Sequence, residues 1–452
     1  MMLRRVRGVE TEYGLTVRVA TSTGWRRVGS DEAAQILFRP VTRSAAASSV
    51  FLRNGGRLYL DVGSHPEYAT AECDTLADLL AQDAAGDAIL DRLAGRAEEL
   101  AASEGQSVRI DILKNNLDSH GNSWGSHENF QVERTSDLEA LAAGLTSFLV
   151  TRQLIAGAGR WTSDGFRLSQ RAEHMWEAVA STTTRTRPMI NTRDEPHADP
   201  RRFRRLHVIV GDSNLVQGTL WLRMGATELV LRAIEAGRRF DDWQPADAGT
   251  AIRLVNRDQR GRAAFELAAQ GGSCALEVQR AYWAASAEFA TGELAGVHRL
   301  WGQVLDAIAD DRPAQVAGWV EWIAKRRLLD ALAERHGPAS PRLAAADLAW
   351  HEVRGERSLI QRLARAGQVS RMVSADAVER AVDEPPATTR AALRAAFIRA
   401  AQSAGRDYSA DWMTLSAHDL SDGVVICPDP LTAVDARVER LIERMRTEPR
   451  RR

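Results

Sequence analysis

From Arg57 to Val62 the chain reads Arg-Leu-Tyr-Leu-Asp-Val, with polar and aliphatic side chains in alternation. That is the period of a half-buried strand. Arg57, Tyr59 and Asp61 fall on one face and Leu58, Leu60 and Val62 on the other. Residues on one face of a strand stand about 7 Å apart, so a cation, a phenol and a carboxylate line up along one surface. Asn54-Gly55-Gly56 ahead of the strand reads as a tight hairpin turn. Behind it, Gly63-Ser64-His65-Pro66 breaks the strand and returns the chain with Glu67, Thr70 and Glu72. A strand face of alternating charge is ordinarily just solvated. Here the ionisable and phenolic groups crowd around one turn, which favours a functional surface.

A second acidic strand strengthens that reading. Arg5 to Ala20 reads as a strand on which Glu10 and Glu12 share a face. Paired carboxylates repel unless a cation sits between them, and hard oxygen ligands suit Mg²⁺ bridging nucleotide phosphates. Strands are also expected at Val108 to Leu113 and Phe130 to Glu133. The polar segment Lys114 to Asn129 between them is a natural place for binding residues. Helices are expected at Ser30–Arg39, Thr75–Ser103, Asp137–Ala156 and Ser169–Ser181, and a buried strand at Leu206–Val210. The loop after Ser181 carries Arg185, Arg187 and Arg193, which could hold anionic groups. To about Val382 the chain is mostly helical, and Trp283, Trp301, Trp319 and Trp322 read as packing residues. Asp383-Glu384-Pro385-Pro386 breaks the pattern. The division expected is a large domain 1–382 and a small one 383–452, the latter with a helix Thr388–Ala404, a strand Val424–Cys427 and a last helix Leu431–Met445.

Composition removes several classes. A formal net charge of −1 over 452 residues argues against a general nucleic-acid binder. No apolar run is long enough to span a bilayer, and the start lacks the apolar core of a signal peptide. Cys73, Cys274 and Cys427 are far apart, without metal spacing, and read as reduced thiols in a cytoplasm. Lysine occurs only at Lys114 and Lys325, which fits compositional bias first. Neither the P-loop nor the dinucleotide-binding glycine pattern is present. Phosphates would therefore have to be held by metal ions and arginines.

The segments VETEYG, RLYLDVGSHPEYATAEC, KNNLDSHGNSWGSHEN, LSQRAEH and INTRDEPHAD occur in one order. Together they make the chain resemble the Pup–protein ligases of actinobacteria and their sister depupylases, over nearly its whole length. The resemblance implies an α+β, glutamine synthetase-like carboxylate–amine ligase fold: a curved, mainly antiparallel sheet backed by helices, plus a small C-terminal domain. It implies ATP and Mg²⁺ as cofactors, with the ubiquitin-like modifier Pup and lysine-bearing target proteins as partners. It implies neither nucleic acid nor membrane. By the motifs, Glu10, Tyr59 and Glu67 would be Mg²⁺ ligands, Arg57, Thr70 and Trp412 would contact ATP, and Asp61 would be the catalytic aspartate. His127, Arg185, Arg187 and Arg193 are second-rank candidates, and Arg201, Arg202, Arg204 and Arg205 could meet an acidic Pup. Trp124 and Ser126 stand where the family pattern has Tyr and Cys.

In that family ATP activates the C-terminal glutamate of Pup as a γ-glutamyl phosphate, and a lysine amine attacks it to mark the target for proteasomal degradation. Lysine's reference pKa of about 10.4 calls for a base, and Asp61 would serve. A depupylase would carry a long insertion between the first strand and the hairpin, and Glu10 to Arg57 is too short to hold one. Two further alternatives are a non-catalytic ATP-dependent Pup adaptor and a small-molecule ligase of the glutamate–cysteine type.

Overall fold

The computed structural model describes residues 2, 4–45, 48–61, 63–118, 120–181 and 187–450. Its centre is an eight-stranded sheet. The strands are β1 (Arg7–Glu12), β2 (Ser49–Phe51), β3 (Arg57–Leu60), β4 (Pro66–Ala69), β5 (Ser126–Glu133), β6 (Glu177–Ala180), β7 (Pro188–Asn191) and β8 (Phe203–Val208). Their order is β6-β7-β8-β5-β1-β4-β3-β2. All neighbours are antiparallel except β6 and β7. The α+β architecture expected from sequence, a mainly antiparallel sheet backed by helices, is the one observed.

Helices cover one face of this sheet. They are α1 (Leu76–Ser103), α2 (Leu138–Thr151), α3 (Gln217–Glu235), α4 (Glu293–Ala309) and α5 (Glu321–His336). Val9, Phe130, Val132, Leu206 and Val208 from the sheet join Leu145, Leu149, Leu222 and Leu229 from the helices in one apolar core. Trp301 and Trp322 are buried in it, and Trp283 and Trp319 pack against it, as their spacing suggested. Helix α1 begins where Thr75 caps it: the hydroxyl accepts from the Asp78 amide at 3.0 Å, satisfying an otherwise orphaned helical N–H.

Charged pairs are sealed in the same layer. Arg7 on β1 pairs with Glu228 of α3 and, at 3.0 Å, with Glu293 of α4. Glu128 on β5 accepts two bonds from Arg152, at 2.6 and 2.7 Å, with Arg223 at 3.6 Å. Arg5 meets Glu235 at 2.7 Å. A buried ion pair stands only if both partners are present and hydrogen-bonded, and here they are.

A separate apolar cluster lies near the C-terminus. Leu393, Phe397, Leu415, Val425, Leu441 and Met445 belong to it. It is built from α6 (Ala391–Ala404), α7 (Ala436–Thr447) and a small sheet of Tyr408–Ala410, Thr414–Ala417 and Val424–Ile426. The last helix starts later than its sequence suggests, because Asp435 caps it by accepting from the Arg437 amide at 2.8 Å.

Two expectations fail. The stretch Arg5 to Ala20 is not one strand: β1 ends at Glu12, and Gly14–Thr21 pairs in a different, three-stranded sheet with Gly24–Arg27 and Val108–Leu113. The break falls at Tyr13, whose amide turns to the Pro66 carbonyl at 2.8 Å. A Cβ on Gly14 would meet Asn115 Oδ1 at 2.8 Å, so only glycine passes there. Ser169–Ser181 is not a helix but a short turn, Ala172–His174, followed by β6. Asp212 takes the amides of Ala158, Gln170 and Arg171 and the Ser169 hydroxyl. A side chain that captures backbone donors competes with helix formation.

Candidate active site

The face of the sheet opposite the helices is polar. Pairing places Tyr59, Glu67 and Glu12 in one row across β3, β4 and β1. The next row holds Arg57, Ala69, Glu10 and His127 across β3, β4, β1 and β5. Partners directly opposite share a face. The alternation that predicted a polar front on β3 therefore extends over four strands. Asn129 on β5 and Arg205 and His207 on β8 continue it.

Two side-chain clusters result. In the first, carboxylate oxygens of Glu12, Asp61 and Glu67 lie within 4.8 Å of one another. Their recorded donors are few: the Tyr59 hydroxyl to Glu67, and the Gly125 amide to Glu12 at 2.7 Å. No arginine or lysine forms an ion pair with any of the three among the described residues. Burial, then Glu10 and Glu12, push Glu67 well above the usual carboxylate range. Burial, then Glu10 and Glu67, likewise raise the Tyr59 hydroxyl, which stays a phenol donating to Glu67. Asp61 is half-buried at the end of β3. The turn after it is tight: the Asp61 amide donates to the His65 carbonyl at 3.0 Å and the Ser64 amide to the Asp61 carbonyl at 3.1 Å. Gly63 adopts φ 87° there, a conformation that favours glycine.

In the second cluster, Glu10 meets His127 and His207. His127 Nδ1 lies 3.1 Å from Glu10 Oε2, and Asn129 and Arg205 donate to Glu10 Oε1 at 3.0 and 3.2 Å. Burial works against the Glu10 charge, but His127, His207 and Arg205 outweigh it and hold Glu10 well below the usual range. Burial first, then His127 and Arg205, push His207 down to about 3. It is therefore a neutral imidazole, and its buried Nε2 has no hydrogen-bond partner. The Asn191 side-chain amide faces its Nδ1 at 3.4 Å, which leaves the ring proton on Nε2, 4.0 Å from Glu10.

Beside these clusters lies a cleft open to solvent, lined among others by Gly8, Glu10, Thr70, Gln131, Arg205 and Trp412. Thr70 is held by β1, its hydroxyl accepting from the Val9 amide at 3.1 Å. Trp412 is held from below by Arg394. That guanidinium stacks 5.0 Å from the rings of both Phe51 and Trp412 and donates to the Trp412 carbonyl at 3.1 Å. It also pairs with Glu72, which Arg390 meets at 2.8 Å.

The sequence candidates thus divide. Thr70, Trp412 and Glu10 line the cleft. Tyr59, Glu67 and Asp61 form or touch the carboxylate cluster. Arg57 stands outside the cleft lining, 4.5 Å over the Tyr59 ring and bonded to Ser49 Oγ at 2.9 Å. Arg193 turns to Glu195 at 3.4 Å, Arg201 to Asp199 and Arg202 to Asp429. Arg185 lies outside the described residues.

Three residues went unassigned. Glu12 was legible as the mate of Glu10, yet its own cluster depends on register. His207 stands two positions after Arg205 on a strand, a spacing that puts both on one face. Arg171 is buried, donating to the Ile209 carbonyl at 2.9 Å and to the Trp124 carbonyl. Burial, with Arg187 adding to it against the pull of Glu12, lowers its guanidinium to about 10. The Lys114–Asn129 segment does reach the site, through the Gly125 amide and His127. A Cβ on Gly125 would crowd the His127 ring and, at 2.6 Å, Glu12 Oε1, so a larger residue there would displace both side chains.

A family model described as Pup-ligase protein matches residues 5–416. A Pup–protein ligase 1 of Rhodococcus erythropolis is 48% identical over 455 residues, covering 98% of this chain and all of that one. A Pup–protein ligase of Actinosynnema mirum is 48% identical over 98% of this chain and 99% of its own. Among solved structures, the complex between prokaryotic ubiquitin-like protein Pup and its ligase PafA superposes with a TM-score of 0.92 at 39% identity, covering 98% of this chain and 92% of that one. The same ligase in complex with ADP gives 0.85 at 40% identity, covering 93% and 94%.

Proposed function

The chain belongs to the Pup-ligase family, and from that premise we propose that it is an ATP-dependent Pup–protein ligase that uses the front of the central sheet. The observation that carries the reading is the cluster of Glu12, Asp61 and Glu67, three carboxylates with no arginine or lysine paired to them among the described residues, beside the cleft lined by Thr70 and Trp412. ATP binds in the cleft, between Thr70 and Trp412, with Arg57 at its margin. Its γ-phosphoryl group passes to the side-chain carboxylate of the C-terminal glutamate of Pup. A lysine of the target protein then attacks the acyl phosphate, and an isopeptide bond forms as phosphate leaves.

Mg²⁺ fits the donor set. The oxygens of Glu12 and Glu67, with the Tyr59 hydroxyl, are hard ligands lacking a counter-charge, and Asp61 stands beside them as the base. Glu10, one row along β1, would add a further carboxylate oxygen. Bound there, Mg²⁺ would neutralise the charge of the transferring phosphoryl group. The chain's own residues do the rest. Tyr59 orients Glu67, the Gly125 amide orients Glu12, and Asp61 takes the proton of the incoming amine. Arg394 holds Trp412 over the cleft.

We further propose two domains and a cytoplasmic setting. The division at 382/383 is supported by the separate C-terminal apolar cluster. A cytoplasmic setting is supported by three free cysteines, two of them buried. No helix of the described residues is long and apolar enough to cross a membrane.

The test is a conjugation assay with ATP, Mg²⁺, Pup ending in glutamate and a lysine-bearing target, wild type beside Asp61→Asn. A heavier, Pup-linked target with wild type alone supports the reading. Release of target from a pre-made conjugate, without ligation, would replace it with depupylation.

A further inference from the structure

The reaction just assigned consumes lysine ε-amines, and this chain almost lacks them. Of its 59 lysine and arginine residues only Lys114 and Lys325 are lysines. Both side chains are closed off, with 1% and 0% of their surface exposed. Lys114 Nζ donates to Asp83 at 2.7 Å and to Asp87 at 3.2 Å. Lys325 Nζ donates to the Gly159 carbonyl at 2.8 Å, to His351 Nε2 at 2.7 Å, and lies 3.1 Å from Asp347. An ammonium has three donors and no acceptor; Lys325 spends two on hydrogen bonds and faces the Asp347 carboxylate with its charge. The two lysines are also joined: His351 Nδ1 donates to the Lys114 carbonyl at 2.9 Å. Freeing the Lys325 amine means breaking its contacts with Gly159, His351 and Asp347, and freeing the Lys114 amine means breaking those with Asp83 and Asp87.

We propose that this ligase is closed to its own chemistry, because neither of its ε-amines can reach an acyl phosphate, and that the absence of surface lysine is what protects it. The proposal rests on the ligase reading above. The step at issue needs a neutral, exposed amine. Its nitrogen bonds to the acyl carbon, the bond from that carbon to the phosphate oxygen breaks, phosphate leaves with the electron pair, and the nitrogen gives up a proton. Arginine cannot substitute: its guanidinium stays protonated at neutral pH and is no nucleophile. Every exposed cation on the folded chain other than histidine and the chain start is therefore inert to the reaction. An enzyme that presents an open site to many proteins meets other copies of itself, and this one offers them nothing to modify.

The test restores the missing group. Arg53, on the hairpin before β3, and Arg335, in the last turn of α5, are exposed and outside the site. Wild type, Arg53→Lys and Arg335→Lys are each incubated with ATP, Mg²⁺ and Pup ending in glutamate, with and without a separate lysine-bearing target, and adducts are mapped by mass spectrometry. The expected result is target conjugation by all three, no self-adduct on wild type, and a new band heavier by one Pup on at least one variant, mapped to the introduced lysine. A wild-type adduct at Lys114 or Lys325 overturns the proposal. So does a clean pair of variants while the target is conjugated, since something other than lysine content would then be the shield. No conjugation of the target by wild type would instead sink the ligase reading, and this inference with it.

Discussion

The two faces of strand β1 carry charge in opposite ways. Behind the sheet, Arg7 finds Glu228 and Glu293, and one strand over Glu128 finds Arg152. In front, Glu12 and its neighbours Glu67 and Asp61 find each other. The same alternation of residues feeds both. A helical layer supplies partners on one side; on the open side Arg205 and His127 serve Glu10, while Glu12, Asp61 and Glu67 have no arginine or lysine paired to them among the described residues. Fully matched buried charges hold a fold together and do no chemistry. Unmatched ones cost stability and are kept where a ligand completes them. The contrast separates a structural face from a functional one without reference to any relative.

The sharpest way to break the comparison is at Asp61. Asp61→Asn should lower conjugation by about 10²–10⁴-fold, the usual worth of a positioned base, while nucleotide binding survives. An unfolded variant would mean the front face is structural after all. Glu128→Ala tests the other side. It strands Arg152 and Arg223, and unfolding in urea should show a loss of about 3–5 kcal/mol. Equal stability would erase the distinction between the faces.

Glu72 sharpens it, because it lines the cleft yet is matched. Burial opposes its charge, but Arg394 and Arg390 outweigh that and hold it near 2. A depressed carboxylate contributes stability above its unfolded value, near 4.5, and loses it as pH falls towards 2. At about 1.4 kcal/mol for each pH unit of displacement, that is a few kcal/mol. Glu72→Gln should therefore be less stable at pH 6 and lose less on acidification, as followed by denaturation at several pH values. The smallest expected effect is on the metal-free fold of Glu67→Gln. Removing a carboxylate pressed against Glu10 and Glu12 should leave stability unchanged or raised. What it should lose is the gain wild type shows with Mg²⁺ and nucleotide, about 2.7 kcal/mol at a hundred times the dissociation constant. A gain equal to wild type's would take Glu67 out of the binding set.

Sequence periodicity made the polar front legible at β3, because side-chain direction within a strand is a local property. Which carboxylates meet is not local. Glu10 and Glu12 share a face, yet pairing sends Glu10 to two histidines and Glu12 to Asp61 and Glu67. That outcome is decided by register with strands far along the chain. The same limit explains the misread helix at Ser169–Ser181. Its propensity was reasonable, but Asp212, more than thirty positions away, claimed its amides. Trp412 was legible only through family motifs, since its place over the cleft depends on Arg394, Phe51 and Glu72, three remote positions.

The two sealed lysines also shape how the protein behaves as a reagent. Succinimidyl esters and aldehydes attack exposed primary amines, and the folded chain presents none on a side chain. In a mixture with Pup and targets, a fluorescent ester would mark the substrates and pass over the enzyme, save at its α-amine. Amine-reactive beads would likewise find no side-chain amine to hold it by. Immobilising it calls for a different handle, and any lysine added as that handle becomes a place where the enzyme writes on itself.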